Sequence, residues 1–416
     1  MLFRSFLSEN ADFSEACAKA KIKFIGPRAA TMRAVGNKID ARKTAQKLGL
    51  PVVPGISGAV GEKEVLAFGK EHGYPILLKA AGGGGGKGLR VVREASEAPR
   101  ALREAASEAG HAFGNSTVFV EKYLSRPRHV EIQIFGDARG NVVHLGEREC
   151  SVQRRHQKLV EESPSVAVDD ALRERMGETA KKVVKSAGYE NAGTCEFLLD
   201  ESGKFHFLEV NSRLQVEHPV TEMVTGLDLV RMQIAVAAGE KLPIRQDEVQ
   251  RRGHAIETRI CAEDPFNNFA PATGEVAAVR FPSGPFVRVD SDLRIRSQVT
   301  VFYDSLVAKL IAWSEDRAGA IDRMLRALRE FKVVGVQTTV PFHIQLCQNR
   351  KFRAGKIHTR FVDQEFDFKD VKAEHHEEAA ILAGALEYLR REQMTPKYAS
   401  PRPLSPWKMS YREDGR

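Results

Sequence analysis

Two predicted strands in the middle of the chain carry acidic residues among apolar neighbours. The strands, residues 194–199 and 205–210, are separated by a short turn and predict a β-hairpin. Glu196 and Glu209 lie on these strands, and Asn211 follows the second of them. Because an uncompensated carboxylate in a buried strand costs much free energy, the pattern predicts a bound cation, with arginine partners as the alternative. The chain is therefore expected to form a sheet with a polar site on it.

The second strand runs into a segment, residues 209–219, that is dense in hydrogen-bonding side chains. Arg213 and Gln215 are suited to binding a small anion, and Glu217 adds a further carboxylate. The hairpin acids and amide supply the hard oxygen ligands that Mg²⁺ takes together with substrate phosphates. The combination predicts an enzyme that brings a magnesium nucleotide to a small oxyanion. A glycosidase-like carboxylate pair is the alternative, but it leaves the glycines and lysines described next without a role.

A glycine-rich segment, residues 82–88, lies between predicted strands at 74–80 and 89–92. Its backbone N–H groups could approach a phosphate closely. It is not a P-loop, because the spacing fails and Lys87 precedes Gly88 rather than Ser or Thr, and it is not a dinucleotide fingerprint, because no helix begins at it. Five consecutive glycines are costly to order, which favours a mobile lid, and a flexible hairpin tip without a ligand is the alternative. Lys38 and Lys79 are predicted phosphate-binding cations.

Charge and composition narrow the class of protein. The net charge of +8 raises the possibility of a nucleic-acid partner. However, basic residues alternate with acids along the chain, and an aromatic content of 7% is too low for a base-stacking platform. No apolar run approaches the ~18 residues of a membrane helix. Five scattered cysteines, none in Cys-x-x-Cys spacing, predict a reduced cytoplasmic protein. We expect neither a nucleic-acid nor a membrane partner.

Helical and strand patterns mix without strict alternation, which predicts an α+β or multi-layer α/β fold. Helices are predicted at residues 12–22, 29–48, 94–109, 169–187, 219–238, 317–331 and 374–392. Further strands are predicted at residues 23–26, 117–121, 128–135, 142–148, 254–261, 275–281, 286–289 and 309–313. A basic cluster at 154–158 is predicted to be a surface loop or a phosphate contact.

These features belong to a longer ordered series of motifs. The series comprises Lys38, Lys79 with residues 82–88, and the segments 121–124, 129–131, 147–158, 209–218, 254–264 and 303–305. In this order the motifs resemble those of the ATP-grasp biotin carboxylases, over residues 6 to 365. The resemblance implies an ATP-grasp fold with a biotin carboxylase C-terminal domain. It implies a remnant of the N-terminal domain at 1–26, an ATP-grasp domain at 27–245 with a lid subdomain near 52–123, a C-terminal domain at 246–368, and a helical and Pro-rich tail at 369–416.

The resemblance also implies site roles. Nucleotide-binding residues would be Lys38, Lys79, Gly82, Gly83, Gly84, Gly85, Gly86, Gly88, Glu121, Leu124, His129, Gln153 and His156. Two Mg²⁺ or Mn²⁺ ions would be held by Glu196, Glu209 and Asn211. The catalytic group would comprise Lys158 at the transferring phosphate, Arg213, Gln215 and the Val216 backbone at bicarbonate, Glu217 as general base and Arg288 at biotin.

Partners follow from the same resemblance. The sequence contains no Ala-Met-Lys-Met biotinylation motif, so biotin is expected as a substrate on a separate biotin carboxyl carrier protein, with a separate carboxyltransferase subunit. A homodimer is expected for the full-length form. Because the N-terminal domain is short relative to the family, a truncated inactive ATP-binding or assembly remnant is one alternative. Another ATP-grasp ligase is the second.

Overall fold

The computed structural model describes residues 7–36, 38–56, 58–81, 88–366 and 376–394. The chain divides into two compact units, residues 1–368 and 369–416. Gly82, Gly83, Gly84, Gly85 and Gly86 of the predicted lid, and the Pro-rich end after residue 394, lie outside the described residues.

The first unit combines helices with several sheets, so the predicted mixed α/β class is confirmed. The strands are β1 (Gly55–Ile56), β2 (Ile76–Ala80), β3 (Leu89–Val92), β4 (Val118–Lys122), β5 (Arg128–Gly136), β6 (Val142–Arg154), β7 (Gln157–Ser163), β8 (Asn191–Leu199), β9 (Phe205–Asn211), β10 (His254–Cys261), β11 (Glu263–Asp264), β12 (Ala270–Pro271), β13 (Gly274–Glu275), β14 (Ala278–Arg280), β15 (Val287–Ser291), β16 (Gln298–Val299), β17 (Leu306–Ser314) and β18 (Lys332–Val334). The helices are α1 (Ala11–Lys19), α2 (Ala29–Gly36), α3 (Lys38–Lys47), α4 (Glu62–His72), α5 (Ala98–Phe113), α6 (Asp170–Ser186), α7 (His218–Thr225), α8 (Leu229–Ala237), α9 (Arg317–Glu330), α10 (Val340–Gln348), α11 (Arg350–Arg353), α12 (Phe361–Gln364) and α13 (His376–Met394).

Three predicted elements differ from the structure. The predicted strand 23–26 is wrong, because these residues pair with no strand in the described part of the chain. The predicted helix 29–48 is helical over α2 and α3, and Asn37 between them lies outside the described residues. Helix 219–238 is also two helices, because Gly226 ends α7 in the left-handed region with a φ of 73°. Strand 275–281 is split into β13 and β14.

An eight-stranded sheet in the order β15-β17-β10-β7-β6-β5-β8-β9 forms the centre of this unit, and all its neighbouring strands are antiparallel. Glu131 on β5 lies opposite Arg148 on one side and Glu196 on the other. Glu196 in turn lies opposite Glu209. Directly opposed residues in an antiparallel sheet point to the same face. The sheet therefore places one arginine and three carboxylates in a single row across four strands.

Apolar side chains hold helices against this sheet. One core packs Met176 and Val183 of α6 against Phe197 of β8. A second core packs Met324 of α9 and Phe342 of α10 against the other end of the sheet. The two cores leave the row of charged side chains on a rigid support.

A smaller four-stranded sheet, in the order β1-β4-β2-β3, occupies the predicted lid region. Val65 and Phe68 of α4 pack with Ala105 of α5 on the buried side chains Ile76 and Leu78 of β2. This sheet has its own hydrophobic core.

The second unit contains the helix α13, which confirms the predicted helix near 374–392 with a shift of two residues. Ile381, Leu382, Leu386, Tyr388 and Leu389 of this helix are all exposed. Within the described ranges, no helix is both long enough and apolar enough to cross a membrane.

Candidate active site

The ammonium group of Lys158 is the centre of the site. Lys158 lies on β7 and donates hydrogen bonds to Glu131 Oε2 at 2.6 Å, Glu217 Oε1 at 2.7 Å and Glu196 Oε1 at 3.1 Å. All three carboxylates are buried. One lysine therefore joins acids from β5, β8 and the segment before α7.

The electrostatics of this group favour ionised acids. Burial alone would raise the pKa of Glu196, but Lys158 and His129 hold it well below its usual value. Burial also opposes ionisation of Glu217, whose pKa is nevertheless held well below its usual value by Lys158, Arg259 and Arg148. Burial disfavours the charged form of Lys158, yet the surrounding acids raise its pKa well above the ordinary range. The cluster is therefore a set of compensated charges.

A second buried cation, Arg148, binds Glu131 and the polar side chains around it. Its Nε atom donates to Glu131 Oε1 at 2.5 Å, and Nη1 donates to Gln133 Oε1 at 2.6 Å. Its Nη2 atom donates to Thr194 Oγ1 at 3.1 Å and to Gln215 Oε1 at 3.0 Å. Because every arm of this guanidinium has a partner, Arg148 orients Glu131 and the predicted anion ligand Gln215 together.

The predicted metal ligands lie beside this network. Asn211 Nδ2 donates to Glu196 Oε1 at 2.9 Å, and Glu209 lies opposite Glu196 on the hairpin. The Nε2 atom of His129 is 3.0 Å from Glu196 Oε2. His129, Glu131 and Glu196 can bring ligand atoms within 4.8 Å of one another. The carboxylate oxygens of this group suit Mg²⁺, and Glu196 is the residue that the group shares with the predicted set of Glu196, Glu209 and Asn211.

The predicted anion end lies next to the metal ligands. Arg213 Nη2 donates to Asn211 Oδ1 at 3.0 Å, and Arg213 Nε donates to Glu9 Oε2 at 2.8 Å. The other oxygen of Glu9 accepts the backbone N–H of Ser212 at 2.8 Å. Glu9 was not predicted from the sequence, although its carboxylate is an oxyanion that Arg213 already binds. The pairing shows that this arginine can hold a carboxylate-like anion.

Gln215, Val216 and Glu217 complete the turn before α7. Gln215 Nε2 donates to Glu196 Oε1 at 2.9 Å. The Val216 carbonyl oxygen accepts a hydrogen bond from Lys309 Nζ at 3.0 Å, and Glu217 is buried at the N-terminus of α7. These contacts hold the backbone and two side chains of the turn against the sheet.

The predicted Arg288 binds acids other than Glu217. Arg288 donates to Glu222 Oε2 at 2.6 Å and to Asp290 Oδ1 at 2.8 Å. By contrast, Arg259 on β10 donates from Nη2 to Glu217 Oε2 at 2.9 Å. Arg259 was not predicted from the sequence, although it lies within the motif 254–264. A guanidinium inside a buried strand was the available signal.

The predicted nucleotide residues of the smaller sheet are paired with each other. Lys79 Nζ lies 3.0 Å from Glu121 Oε2, and Arg42 donates to the other oxygen of Glu121. Lys79 also lies 5.6 Å from the ring centre of Phe119. Leu124, half-buried, follows β4. The charge of Lys79 is thus compensated within the protein and sits at the end of β2.

The remaining predicted nucleotide residues lie at turns. Gln153 is opposite Lys158 on the β6–β7 hairpin, and His156 is exposed at its tip with a φ of 64°. The predicted basic loop at 154–158 is therefore a tight hairpin turn. The carbonyl oxygen of Gly88 accepts the N–H of Ala80 at 3.0 Å. Lys38 begins α3, and its side chain lies outside the described residues.

Family models match the chain in three consecutive parts. The model for the biotin carboxylase N-terminal domain matches residues 4–32, and that for the carbamoyl-phosphate synthase L chain ATP-binding domain matches residues 37–245. The model for the biotin carboxylase C-terminal domain matches residues 257–364. A biotin carboxylase from Nostoc sp. is 52% identical over 360 residues, which cover 86% of this chain and 80% of that relative. The chain belongs to the biotin carboxylase family.

Other family members give the same result. A pyruvate carboxylase subunit from Methanothermobacter thermautotrophicus is 50% identical over 86% of this chain and 73% of its own length. The biotin carboxylase domain of a 2-oxoglutarate carboxylase from Hydrogenobacter thermophilus, solved as a dimer with MgADP, ADP and bicarbonate, has a TM-score of 0.85 and 43% identity, with 88% of this chain and 82% of that chain covered. The biotin carboxylase of Campylobacter jejuni has a TM-score of 0.85 and 46% identity, with 87% of this chain and 81% of that chain covered. The predicted ATP-grasp fold and ATP-dependent ligase class are confirmed.

Proposed function

We propose that this chain carboxylates carrier-bound biotin with bicarbonate and ATP, by way of carboxyphosphate. The observation that carries the proposal is the convergence of Glu131, Glu196 and Glu217 on Lys158. Preorganised charges of this kind stabilise a phosphoryl-transfer transition state without reorganising when the reaction occurs. Membership of the biotin carboxylase family supports this reaction over the alternatives left open by the sequence.

The nucleotide is assigned to the smaller sheet and the hairpin tip. Phosphates are assigned to Lys38, Lys79 and the glycine segment 82–88, the adenine to Glu121 and Leu124, the ribose to His129 and Gln153, and the transferring phosphate to His156 and Lys158. The ion pair between Glu121 and Lys79 supports this assignment, because it places the proposed adenine and phosphate ligands side by side.

Metal binding is assigned to Glu196, Glu209 and Asn211, with Mg²⁺ or Mn²⁺ at two positions. Bound there, the ions would neutralise charge on the transferring phosphoryl group. The chain keeps Glu196 ionised and oriented through Lys158 and Gln215. The opposed strand positions bring Glu209 to the same face.

Bicarbonate is assigned to Arg213, Gln215 and the backbone of Val216. Glu217 accepts the bicarbonate proton, which makes the bicarbonate oxygen a better nucleophile toward the γ-phosphorus. Lys158, Arg259 and Arg148 hold the pKa of Glu217 down against burial, so this carboxylate is ionised at neutral pH and carries no proton that would block its role.

Biotin is carboxylated after carboxyphosphate breaks down to CO2 and phosphate. The phosphate takes the ureido proton of biotin, and the enolate-like anion attacks CO2. Arg288 is assigned to this anion by resemblance. We add Arg259, because it contacts Glu217 at 2.9 Å whereas Arg288 contacts Glu222 and Asp290. A permanent guanidinium charge at Glu217 can stabilise an anion formed beside it.

The reaction is tested by phosphate release from Mg-ATP by the purified chain, with bicarbonate, in the presence and absence of free biotin. Biotin-stimulated release is expected. ATP binding without any release would instead identify an inactive ATP-binding remnant. Release that does not respond to biotin would identify another ATP-grasp ligase.

Partners and acceptor complete the proposal. We propose a homodimer, a separate biotin carboxyl carrier protein and a separate carboxyltransferase subunit, with the reaction taking place in the cytoplasm. The alpha subunit of rat methylcrotonoyl-CoA carboxylase matches 94% of this chain at 42% identity, so that match includes part of the segment after residue 366. This longer match favours an acyl-CoA as the final acceptor. Carboxyl transfer to pyruvate but not to acyl-CoA in the reconstituted complex would contradict the choice.

A further inference from the structure

Two buried carboxyl groups outside the Lys158 cluster face each other on neighbouring strands. Glu161 on β7 lies opposite Glu257 on β10. Both side chains are fully buried. Among the described residues, Glu161 Oε2 and both oxygens of Glu257 have no hydrogen-bond partner. Three of the four oxygens in this pair are therefore buried without a donor.

The positive charges around the pair are committed elsewhere. Arg259 donates from Nε to Glu161 Oε1 at 2.6 Å and from Nη2 to Glu217. Lys309 on β17 lies between the Val216 carbonyl oxygen, at 3.0 Å, and Asp290 Oδ2, at 3.1 Å. Lys158, also on β7, donates to the three acids of its own cluster. Among the hydrogen bonds of the described residues, the one to this pair from a cation is that of Arg259 to one oxygen of Glu161.

Two ionised carboxylates cannot share this position. Directly opposed residues in an antiparallel pair have Cβ atoms roughly 4.5–5.5 Å apart, so the two charges would repel at short range. A buried carboxylate without a donor also loses its hydration energy, and protein groups in that situation neutralise by taking up a proton. A proton on one acid removes the repulsion and supplies a donor for the unpaired oxygens.

We propose that Glu161 and Glu257 hold one proton between them at neutral pH, and that this protonated pair positions Arg259 against Glu217. With one proton in the pair, Glu161 fixes the Nε side of the guanidinium while Arg259 keeps net positive charge toward Glu217. If both acids ionised, they would over-compensate Arg259 and draw it away from Glu217. The positioning role rests on the proposed function, whereas the proton itself does not.

The pKa directions agree with this geometry. Burial raises the pKa of Glu161 to about 7, against the opposing effect of Arg259. Burial raises the pKa of Glu257 well above its usual value, and Lys309 only partly offsets it. Neighbouring Glu162 behaves oppositely, because Arg317 and His254 overcome burial and lower its pKa to about 2.

The first test compares the pH dependence of thermal stability for the wild-type chain and Glu257→Gln. A carboxyl whose pKa is raised on folding retains a proton that the unfolded chain releases, so it destabilises the fold increasingly as pH rises above the unfolded value. The amide cannot titrate. The melting temperature of Glu257→Gln, relative to wild type, should therefore increase from about pH 5 to about pH 8.

Glu162→Gln, on β7 next to Glu161, is the matched control. Its carboxylate has a lowered pKa and stabilises the fold at pH values above the unfolded value, with that contribution lost as pH falls toward about 2. This variant should be least stable, relative to wild type, at neutral pH. A pH-independent difference for Glu257→Gln would overturn the proposal.

A second measurement does not depend on any variant being stable or active. The infrared carbonyl stretch of a protonated carboxylic acid lies apart from the carboxylate bands. We expect this band in the wild-type chain at neutral pH, still present in Glu162→Gln and weakened in Glu257→Gln, which removes the unpartnered carboxyl of the pair. Its absence from wild type would overturn the shared proton whether or not the chain carboxylates biotin.

The positioning role is read from the pH profile of biotin-dependent phosphate release. Removing Glu257 relieves Glu161 of a like-charge neighbour, so the pKa of Glu161 should fall. The limb that Glu161 imposes on the profile near its pKa of about 7 should then move to lower pH in Glu257→Gln. A profile that keeps its shape while only its height changes would reduce the pair to a structural role.

Discussion

Two groups of buried carboxylates lie on the same eight-stranded sheet in opposite surroundings. Glu131, Glu196 and Glu217 share the ammonium group of Lys158, and each has a further donor. Glu161 and Glu257 have one oxygen paired and three without partners within the described chain. Burial is nearly complete in both groups. The available donors separate Glu196 and Glu217, whose pKa values are held low, from Glu161 and Glu257, whose pKa values are raised.

Glu217→Gln is expected to give the largest effect, because it tests whether the group of acids that shares Lys158 contains the general base of the reaction. The amide cannot accept the bicarbonate proton, so bicarbonate-dependent ATP cleavage should fall by roughly 10²–10⁴-fold, the usual contribution of a general base. ATP binding, measured by calorimetry, should remain. Glu222→Gln, on the following helix and paired with Arg288, is the matched control. Unchanged turnover in Glu217→Gln would remove the base from the proposed mechanism.

Lys158→Met should leave the acids that share Lys158 short of hydrogen-bond donors, as Glu161 and Glu257 are. Removing the shared donor leaves three buried acids with fewer partners, and breaking a buried ion pair costs about 3–5 kcal/mol of unfolding free energy. Urea unfolding at neutral pH measures the loss. The exposed Lys182 on α6 provides the control substitution to Met, which should stay near the wild-type value. Equal stability of the two variants would show that the acids of the cluster do not depend on Lys158.

Arg259→Lys tests the link between the two groups of acids, because Arg259 donates to Glu161 in one group and to Glu217 in the other. Lysine keeps the charge but has no fork to contact Glu161 and Glu217 together. Losing one hydrogen bond to a charged group should cost about 1.5–3 kcal/mol, seen as a lower kcat/KM for biotin. Arg288→Lys, measured in parallel, shows which arginine acts at the biotin anion. A larger loss in Arg288→Lys would restore the role assigned by resemblance.

Glu9→Gln should give the smallest effect, because this partly exposed acid contacts the compensated group only through Arg213. An exposed ion pair contributes about 0.2–1 kcal/mol, so the KM for bicarbonate should change by a few-fold at most while kcat holds. Glu15→Gln, which breaks an exposed pair with Arg33, is the control. A collapse of kcat in Glu9→Gln would place Glu9 in the chemistry itself.

The positions of site residues were predicted best from the sequence where long strands carry acids at fixed spacing. The hairpin with Glu196 and Glu209 is present with the predicted partner Asn211. Such local pairs follow from strand periodicity and turn length. Contacts made across distant strands do not, which is why Arg259 was missed beside Glu217, 42 positions earlier in the chain.

The elements that were predicted wrongly have similarly local causes. Residues 23–26 have apolar strand-like character but pair with no strand within the described chain. The predicted helix at 219–238 is interrupted at Gly226. A periodic apolar pattern predicts that a helix exists more reliably than it predicts an internal break. Gly226 was the available warning.

The row of Arg148, Glu131, Glu196 and Glu209 across four strands has a consequence for how the sheet assembles. A slip of one residue between two strands turns every side chain of the shifted strand to the opposite face. Glu131 would then enter the apolar layer under the sheet without Arg148, at a cost that hydrophobic contacts of neighbouring residues could not offset. Each misaligned pairing is therefore penalised by the same charges to which we assign metal and substrate binding, so these charges also favour the correct alignment of the strands.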